Sequence, residues 1–317
     1  MVHFFRLVRW QNLVIIIFTM CVIRYGVIAS LVESHGFSLV LDNIDFSMLV
    51  LATLLMAASG YIINDYFDVS TDSINKPDQI IIDRHISRKT ALFIHICFNV
   101  LALIIAFYYS FKIELPKLGL VFVIISGLLY FYSESFKRIL LVGNIVVAVL
   151  TAMVPFIIFL YEIPPVIAQN KIQMVIGQVS LNDVGWWVLF FSVFAFLITL
   201  IREIIKDAED FEGDRLSGYD TLPVAMGIKV TRIILVILCL AMIALLTYVH
   251  FTYLQDPVSF VYIFGLIVAP LAFAGYKIMN ASKKEDYHFL SILCKLIMIT
   301  GTLYGFVAHY LIKFGNA

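Results

Sequence analysis

Charge is scarce in this chain. Lys, Arg, Asp and Glu make up only 14% of its 317 residues and cancel to a formal net charge of zero, where a soluble domain carries about 25%. The balance leaves no global field to attract a polyanion, and there is no basic arm or aromatic-basic module, so nucleic acid is not expected as a partner. Cysteine is also sparse. Cys21, Cys97, Cys239 and Cys294 each stand alone in an apolar run, which excludes a CxxC or His/Cys metal cluster and fits small packing residues better than a disulfide framework. A cleavable leader is not expected either: Arg6 and Arg9 give a basic start, but the apolar run behind them is long and lacks a convincing small-residue cleavage site. It reads as a first membrane helix that also directs insertion.

What fills the chain instead is apolar side chain, 62% of all residues, with 27 Phe. Nine apolar runs of spanning length lie near 11–32, 46–64, 90–110, 118–133, 141–161, 184–204, 230–250, 258–277 and 289–312, each about the length that crosses a bilayer as a helix. They predict an all-α polytopic membrane protein: one domain over 1–317, nine helices around a central apolar cavity, spans largely uninterrupted, with Asp-rich loops in the cytoplasm. Placing the N-terminus inside puts sixteen Lys and Arg on the cytoplasmic side against four outside, Lys112, Lys117, Lys171 and Lys313, the bias expected of that orientation in a cell membrane. Residues 163–183 are then an outside loop. Arg24 and Lys295 fall within helices, where a charge is functional by default, although Arg24 could equally snorkel to the outer face. His95, His250 and His309 are isolated and receive no role.

The few charges are not spread evenly. Residues 202–223, REIIKDAEDFEGDRLSGYDTLP, hold seven carboxylates, and 61–78, YIINDYFDVSTDSINKPD, hold four more. Glu203, Asp207, Asp210 and Asp214 recur at offsets of 0, 4, 7 and 11, which places them within roughly 60° of one another on a helix. Asn64, Asp68 and Asp72 recur every four residues, again one helical face. Asp68 to Asp210 and Asp72 to Asp214 are both separated by 142 residues, as if one device were used twice. Crowded carboxylates repel unless a cation lies between them, and hard oxygen ligands suit Mg²⁺. A solvated acidic helix end is the plainer alternative for either stretch alone; the pair suggests two metal sites at a common cavity mouth.

Between these stretches, LYFYSESFKRILLVGN (129–144) carries Lys137 and Arg138 and ends in Gly143-Asn144. Paired cations at a helix end commonly anchor topology, yet beside acidic metal sites they also suit a phosphate. Lys76, Arg84, Arg88, Lys206 and Arg215 share that ambiguity. Tyr61, Tyr130 and Tyr132 lie closest to the charged turns and could offer ring faces to a cation. A wet, metal-rich end on a greasy bundle suits a lipid with a diphosphate head. A transporter is the rival class, but it would scatter ionisable groups at mid-membrane, whereas 12 of the 22 acidic residues lie in two segments, five from Asp65 to Asp83 and seven from Glu203 to Asp220.

NDYFDVSTD (64–72) and KDAEDFEGD (206–214) resemble the two aspartate-rich motifs of the UbiA superfamily of intramembrane prenyltransferases. SINKP (73–77), ISRKTA (86–91), the YS…K…GN turn (132–144) and GYDTLP (218–223) extend the likeness over essentially the whole chain, and the second stretch is similar to the branch containing digeranylgeranylglyceryl phosphate synthase. The resemblance implies Mg²⁺ held by Asn64, Asp68, Asp72, Asp207, Asp210 and Asp214, with Asp65 behind them or capping a helix. It implies a polyprenyl diphosphate donor met by Lys137 and Arg138. Lys76, Arg84, Tyr130, Tyr132, Asn144 and Asn12 complete the expected substrate contacts. The implied reaction is ionisation to an allylic cation, capture by a lipophilic acceptor such as a geranylgeranylglyceryl phosphate-like ether lipid, and release of diphosphate; an aromatic acceptor of quinone synthesis is the alternative. One segment departs from the family: KPDQIIIDRHIS (76–87) stands where members tend to read RPxRPIPSGRIS, with Gln79, Ile80, Ile82 and Arg84 at altered positions.

Overall fold

The computed structural model describes residues 2–75, 78 and 80–315. Lys76, Pro77 and Gln79 lie outside the described residues, and with them the expected role of Lys76. In lipid every backbone N–H and C=O has to be satisfied within the segment, and so apolar a chain answers with helix. Among the described residues nine helices are long and apolar enough to cross a membrane: α1 Trp10–Ser34, α2 Asn43–Ser73, α3 Arg88–Lys112, α4 Pro116–Glu134, α5 Val142–Gly177, α6 Asn182–Glu209, α7 Leu222–Leu254, α8 Pro257–Asn280 and α9 Lys284–Phe314.

Three expectations need correction. Residues 163–177 are not an outside loop but the continuation of α5, which carries Pro155, Pro164 and Pro165 inside it; a membrane helix tolerates proline where neighbouring groups satisfy the freed carbonyls. The Asp-rich stretches are largely helix rather than loop, because helical hydrogen bonding runs on past the apolar runs, to Asn75 after α2 and to Glu209 in α6. The spans are also less regular than expected. α1, α7 and α8 contain π-helical turns at Val22–Ile28, His250–Leu254 and Phe264–Val268, and Gly227 interrupts α7 at φ 81°, a left-handed conformation that suits glycine.

The chain divides into two compact units, Met1–Phe136 with Met153–Leu189 and Lys137–Ala152 with Phe190–Ala317. In the first, Leu7, Val8, Ala58, Ile62, Ile81, Ile82 and Ala91 form a buried cluster. The family departure thus has a local purpose, since Ile82 is a buried plug under the segment before α3. Gly60 lets α4 close on α2, as a Cβ there would stand 2.6 Å from Leu129 Cδ2. Arg24 does not snorkel. Its Nε donates to Glu162 Oε1 at 2.6 Å with the two side chains 2% and 0% exposed, its Nη1 donates to Asn43 Oδ1 at 3.1 Å, and the guanidinium lies 4.4 Å from the Phe46 ring centre.

In the second unit α6 supplies Ile198, Ile201, Ile204 and Ile205 to a core shared with Leu235, Leu271, Leu290 and Ile297. α6 and α9 run antiparallel, pairing Phe191 with Tyr304 at 6.5 Å and Glu209 Oε1 with His288 Nδ1 at 3.0 Å. Between those pairs Gly301 receives the Phe194 ring, whose Cε1 would lie 2.1 Å from a Cβ at that position.

Candidate active site

The first acidic face is laid down as the four-residue spacing predicts, on an unbroken helix from Asn43 to Asn75. Asn64 Nδ2 donates to Asp68 Oδ2 at 2.8 Å, one turn apart. That donation fixes the amide's orientation, and it leaves Asn64 Oδ1 buried with no hydrogen-bond partner among the described residues. A buried acceptor oxygen beside a carboxylate is an expensive arrangement unless a cation or a donor completes it. Asp65 points off this face and pairs with Arg9, Nη2 to Oδ1 at 2.9 Å, while the Arg9 guanidinium lies 5.0 Å from the centre of the Tyr61 ring. Arg9 was read from sequence only as a topology charge. The single signal available was that Asp65 falls about 100° away from the Asn64 row and so needs a partner elsewhere.

Tyr130 stands edge-on to Phe67 at 5.9 Å, brought beside the acidic helix by the Gly60 contact, and is exposed; Tyr132 is half-buried. Asn12 lies in the first turns of α1 and Arg84 in an exposed turn before α3. Arg88 of the same segment is taken by Asp83, Nε to Oδ2 at 2.7 Å.

The second acidic face differs from expectation. A single helical ridge from Glu203 to Asp214 is interrupted: α6 ends at Glu209, Asp210 bends the chain at φ −95° and ψ 10°, and a new short helix runs Phe211–Leu216. The Asp214 amide still reaches back to the Asp210 carbonyl at 3.1 Å, which keeps the two residues one turn apart. Glu203 is withdrawn from the ridge, its oxygens accepting from Arg202 Nη1 at 2.6 Å and Lys206 Nζ at 3.3 Å. Asp207 is held by Asn144, Nδ2 to Oδ2 at 2.7 Å, so the residue expected to touch substrate orients a carboxylate. Arg138 is exposed and Lys137 half-buried, in a 3₁₀ turn, Phe136–Arg138, before α5. This turn is laced to the segment after Asp214: the Asp220 amide donates to the Arg138 carbonyl at 3.0 Å, and the Arg138 guanidinium lies 5.3 Å from the centre of the Tyr219 ring.

Among the described residues no three His, Cys, Asp or Glu side chains converge as a ready-made metal cage. Each acidic face therefore offers one or two carboxylates at a time with accessory oxygens. That is how Mg²⁺ is held when substrate phosphate supplies the remaining ligands.

Comparison with known proteins bears on this arrangement directly. The model of the UbiA prenyltransferase family matches residues 27–297. Digeranylgeranylglyceryl phosphate synthase of Methanothermobacter thermautotrophicus is 35% identical over 199 residues, 62% of this chain and 62% of that protein; this chain thus spans less than two thirds of that relative's length. The protein of the same name from Methanosphaera stadtmanae is 30% identical over 251 residues, 78% of this chain and 82% of the relative. Among solved structures, a digeranylgeranylglyceryl phosphate synthase shares the fold with a TM-score of 0.61 at 22% identity, covering 98% of both chains. A UbiA homolog from Archaeoglobus fulgidus bound to DMAPP and Mg²⁺ shares it with a TM-score of 0.57 at 17% identity, over 96% of this chain and 99% of the other. Since the family model covers most of the chain and both aspartate-rich stretches, this multi-pass membrane protein belongs to the UbiA prenyltransferase family.

Proposed function

We propose that the chain transfers a polyprenyl group from its diphosphate to a glyceryl phosphate ether lipid, with Mg²⁺ as cofactor and inorganic diphosphate as by-product. The observation that carries this reading is Asn64 Oδ1, a buried oxygen without a donor, set beside Asp68 on an acidic helix face. Such an oxygen can complete the coordination of a hard cation. Asn64, Asp68 and Asp72 would hold Mg²⁺ on one face, and Asp207, Asp210 and Asp214 on the other. When bound, the metal neutralises charge building on the diphosphate oxygens.

The chain's own residues supply the rest. Asn144 keeps Asp207 oriented, and Asp65 with Arg9 fixes the outer side of the first face. Lys137 and Arg138 bind diphosphate oxygens as the allylic C–O bond breaks heterolytically, the electron pair leaving with the diphosphate. The rings of Tyr130 and Tyr132 stabilise the allylic cation, and the apolar interior keeps water from capturing it. A hydroxyl oxygen of the acceptor then forms the new C–O bond and loses its proton. Asn12 and Arg84 contact substrate in the same reading. The names of the curated relatives support the glyceryl phosphate acceptor, and the DMAPP and Mg²⁺ bound to the Archaeoglobus homolog support the donor and metal. The active-site end faces the cytoplasm of a cell membrane.

The test is a product assay with purified protein, Mg²⁺ and labelled geranylgeranyl diphosphate. Geranylgeranylglyceryl phosphate is offered in one reaction and 4-hydroxybenzoate or a dihydroxynaphthoate in others, with lipids read by mass spectrometry. A doubly prenylated glyceryl phosphate supports the proposal. A prenylated aromatic ring keeps the chemistry and replaces the acceptor.

A further inference from the structure

A group of cations outside the acidic faces has no part in the reaction described above. In the antiparallel register that pairs Glu209 with His288 and Phe191 with Tyr304, Lys295 on α9 falls level with Arg202 on α6. Arg202 is seven residues short of the end of α6, about 10 Å along the helix axis, and Lys206 follows it one turn later. Glu203 is shared between two of these cations, accepting from Arg202 at 2.6 Å and Lys206 at 3.3 Å, so it cannot neutralise both. The Arg202 guanidinium is also incompletely satisfied: Nη1 reaches Glu203, whereas Nε is buried with no hydrogen-bond partner among the described residues. A buried donor of this kind is costly in apolar surroundings.

An anion with several acceptor oxygens satisfies that donor. Guanidinium N–H groups match phosphate in geometry as well as charge, and lysines add point charges around it. We propose that Arg202, Lys206 and Lys295 bind the phosphate of a lipid, in the seam between α6 and α9. Building on the proposed function, the first source of that phosphate is the acceptor itself, whose headgroup would then be read separately from the donor's diphosphate. A phospholipid of the bilayer carries the same group and is the second source.

The experiment uses the full chain in nanodiscs, wild type beside Arg202→Gln and Lys295→Gln, with geranylgeranylglyceryl phosphate and its dephosphorylated alcohol as acceptors. In the variants the KM for the phosphorylated acceptor rises by about tenfold or more, the scale of a lost hydrogen bond to a charged group. The donor KM, kcat and the KM for the alcohol stay put, which a merely misfolded variant would not allow. If the variants instead alter only the dependence of activity on anionic phospholipid in the nanodisc, the bilayer supplies the phosphate. If both acceptors suffer equally, or neither acceptor nor bilayer dependence changes, the phosphate site is refuted. Failure of the wild type to prenylate either glyceryl acceptor overturns the proposed function alone. The site is then judged by thermal unfolding: an alkylglyceryl phosphate, unlike the alkylglycerol, should stabilise wild type and not Arg202→Gln, and equal response of the two proteins overturns it.

Discussion

Asn144 and Asp207 are 63 positions apart in sequence and 2.7 Å apart in space. The start of α5 thereby sets the side-chain orientation of a carboxylate near the end of α6, inside a single compact unit. Groups that orient a metal-binding carboxylate typically matter by about 10–100-fold in metal affinity. Asn144→Ala should therefore raise the Mg²⁺ concentration for half-maximal product formation by about that factor. A magnesium titration reads it directly, and an unshifted curve would remove Asn144 from the site.

Removing a ligand should do more than loosening one. Asp68→Ala and Asp210→Ala are expected to abolish turnover while the proteins still elute as monodisperse species in detergent. Chelator in excess should silence the wild type, and added Mg²⁺ should restore it. Product formed by either variant at wild-type rate would defeat the metal assignment.

The Arg24–Glu162 pair makes a prediction about stability rather than chemistry. Truncating one partner leaves the other charge buried alone, a loss of about 3–5 kcal/mol. Arg24→Met and Glu162→Met should each lower the melting temperature sharply, and the double variant should recover most of the loss. A double variant that melts at the sum of the two single shifts would show that the residues act independently.

Gly301 is the fourth target. Alanine there would place a Cβ 2.1 Å from Phe194 Cε1, so the ring or the helix has to move, and overpacking of this kind costs about 1–3 kcal/mol. Phe194→Leu in the same chain should relieve the clash. A Gly301→Ala protein as stable as wild type would mean that α6 and α9 are not closely packed at this point.

Much of the fold was readable from local signals. Apolar run length located nine spans because the bilayer fixes how long an apolar helix must be, and a period of four placed Asn64, Asp68 and Asp72 on one face of a helix that proved continuous. The same arithmetic misjudged the second stretch. Periodicity registers side-chain angle but not backbone breaks, and the bend at Asp210 has no proline to announce it. At residues 163–177 the loop expected from the span count is helix, because membrane surroundings let helix continue through Pro164 and Pro165. Pairings across long sequence separations were invisible. Asp65 gave no hint of Arg9, Arg24 none of Glu162, and Asn144 none of Asp207, because each contact depends on how helices pack and not on any pattern within one of them.

The buried pair on α1 and α5 also constrains how the molecule is made. Synthesis runs from the N-terminus, so Arg24 enters the bilayer 138 residues ahead of Glu162. During that interval the Arg24 guanidinium is held by Tyr25, Leu41 and Asn43, without its buried carboxylate partner. The mean hydropathy of 2.2 in α1 is what allows the helix to enter regardless. Arrival of α5 then supplies that carboxylate, which makes this ion pair a late step of assembly and gives the nascent chain a reason not to release α1 before α5 is in the membrane.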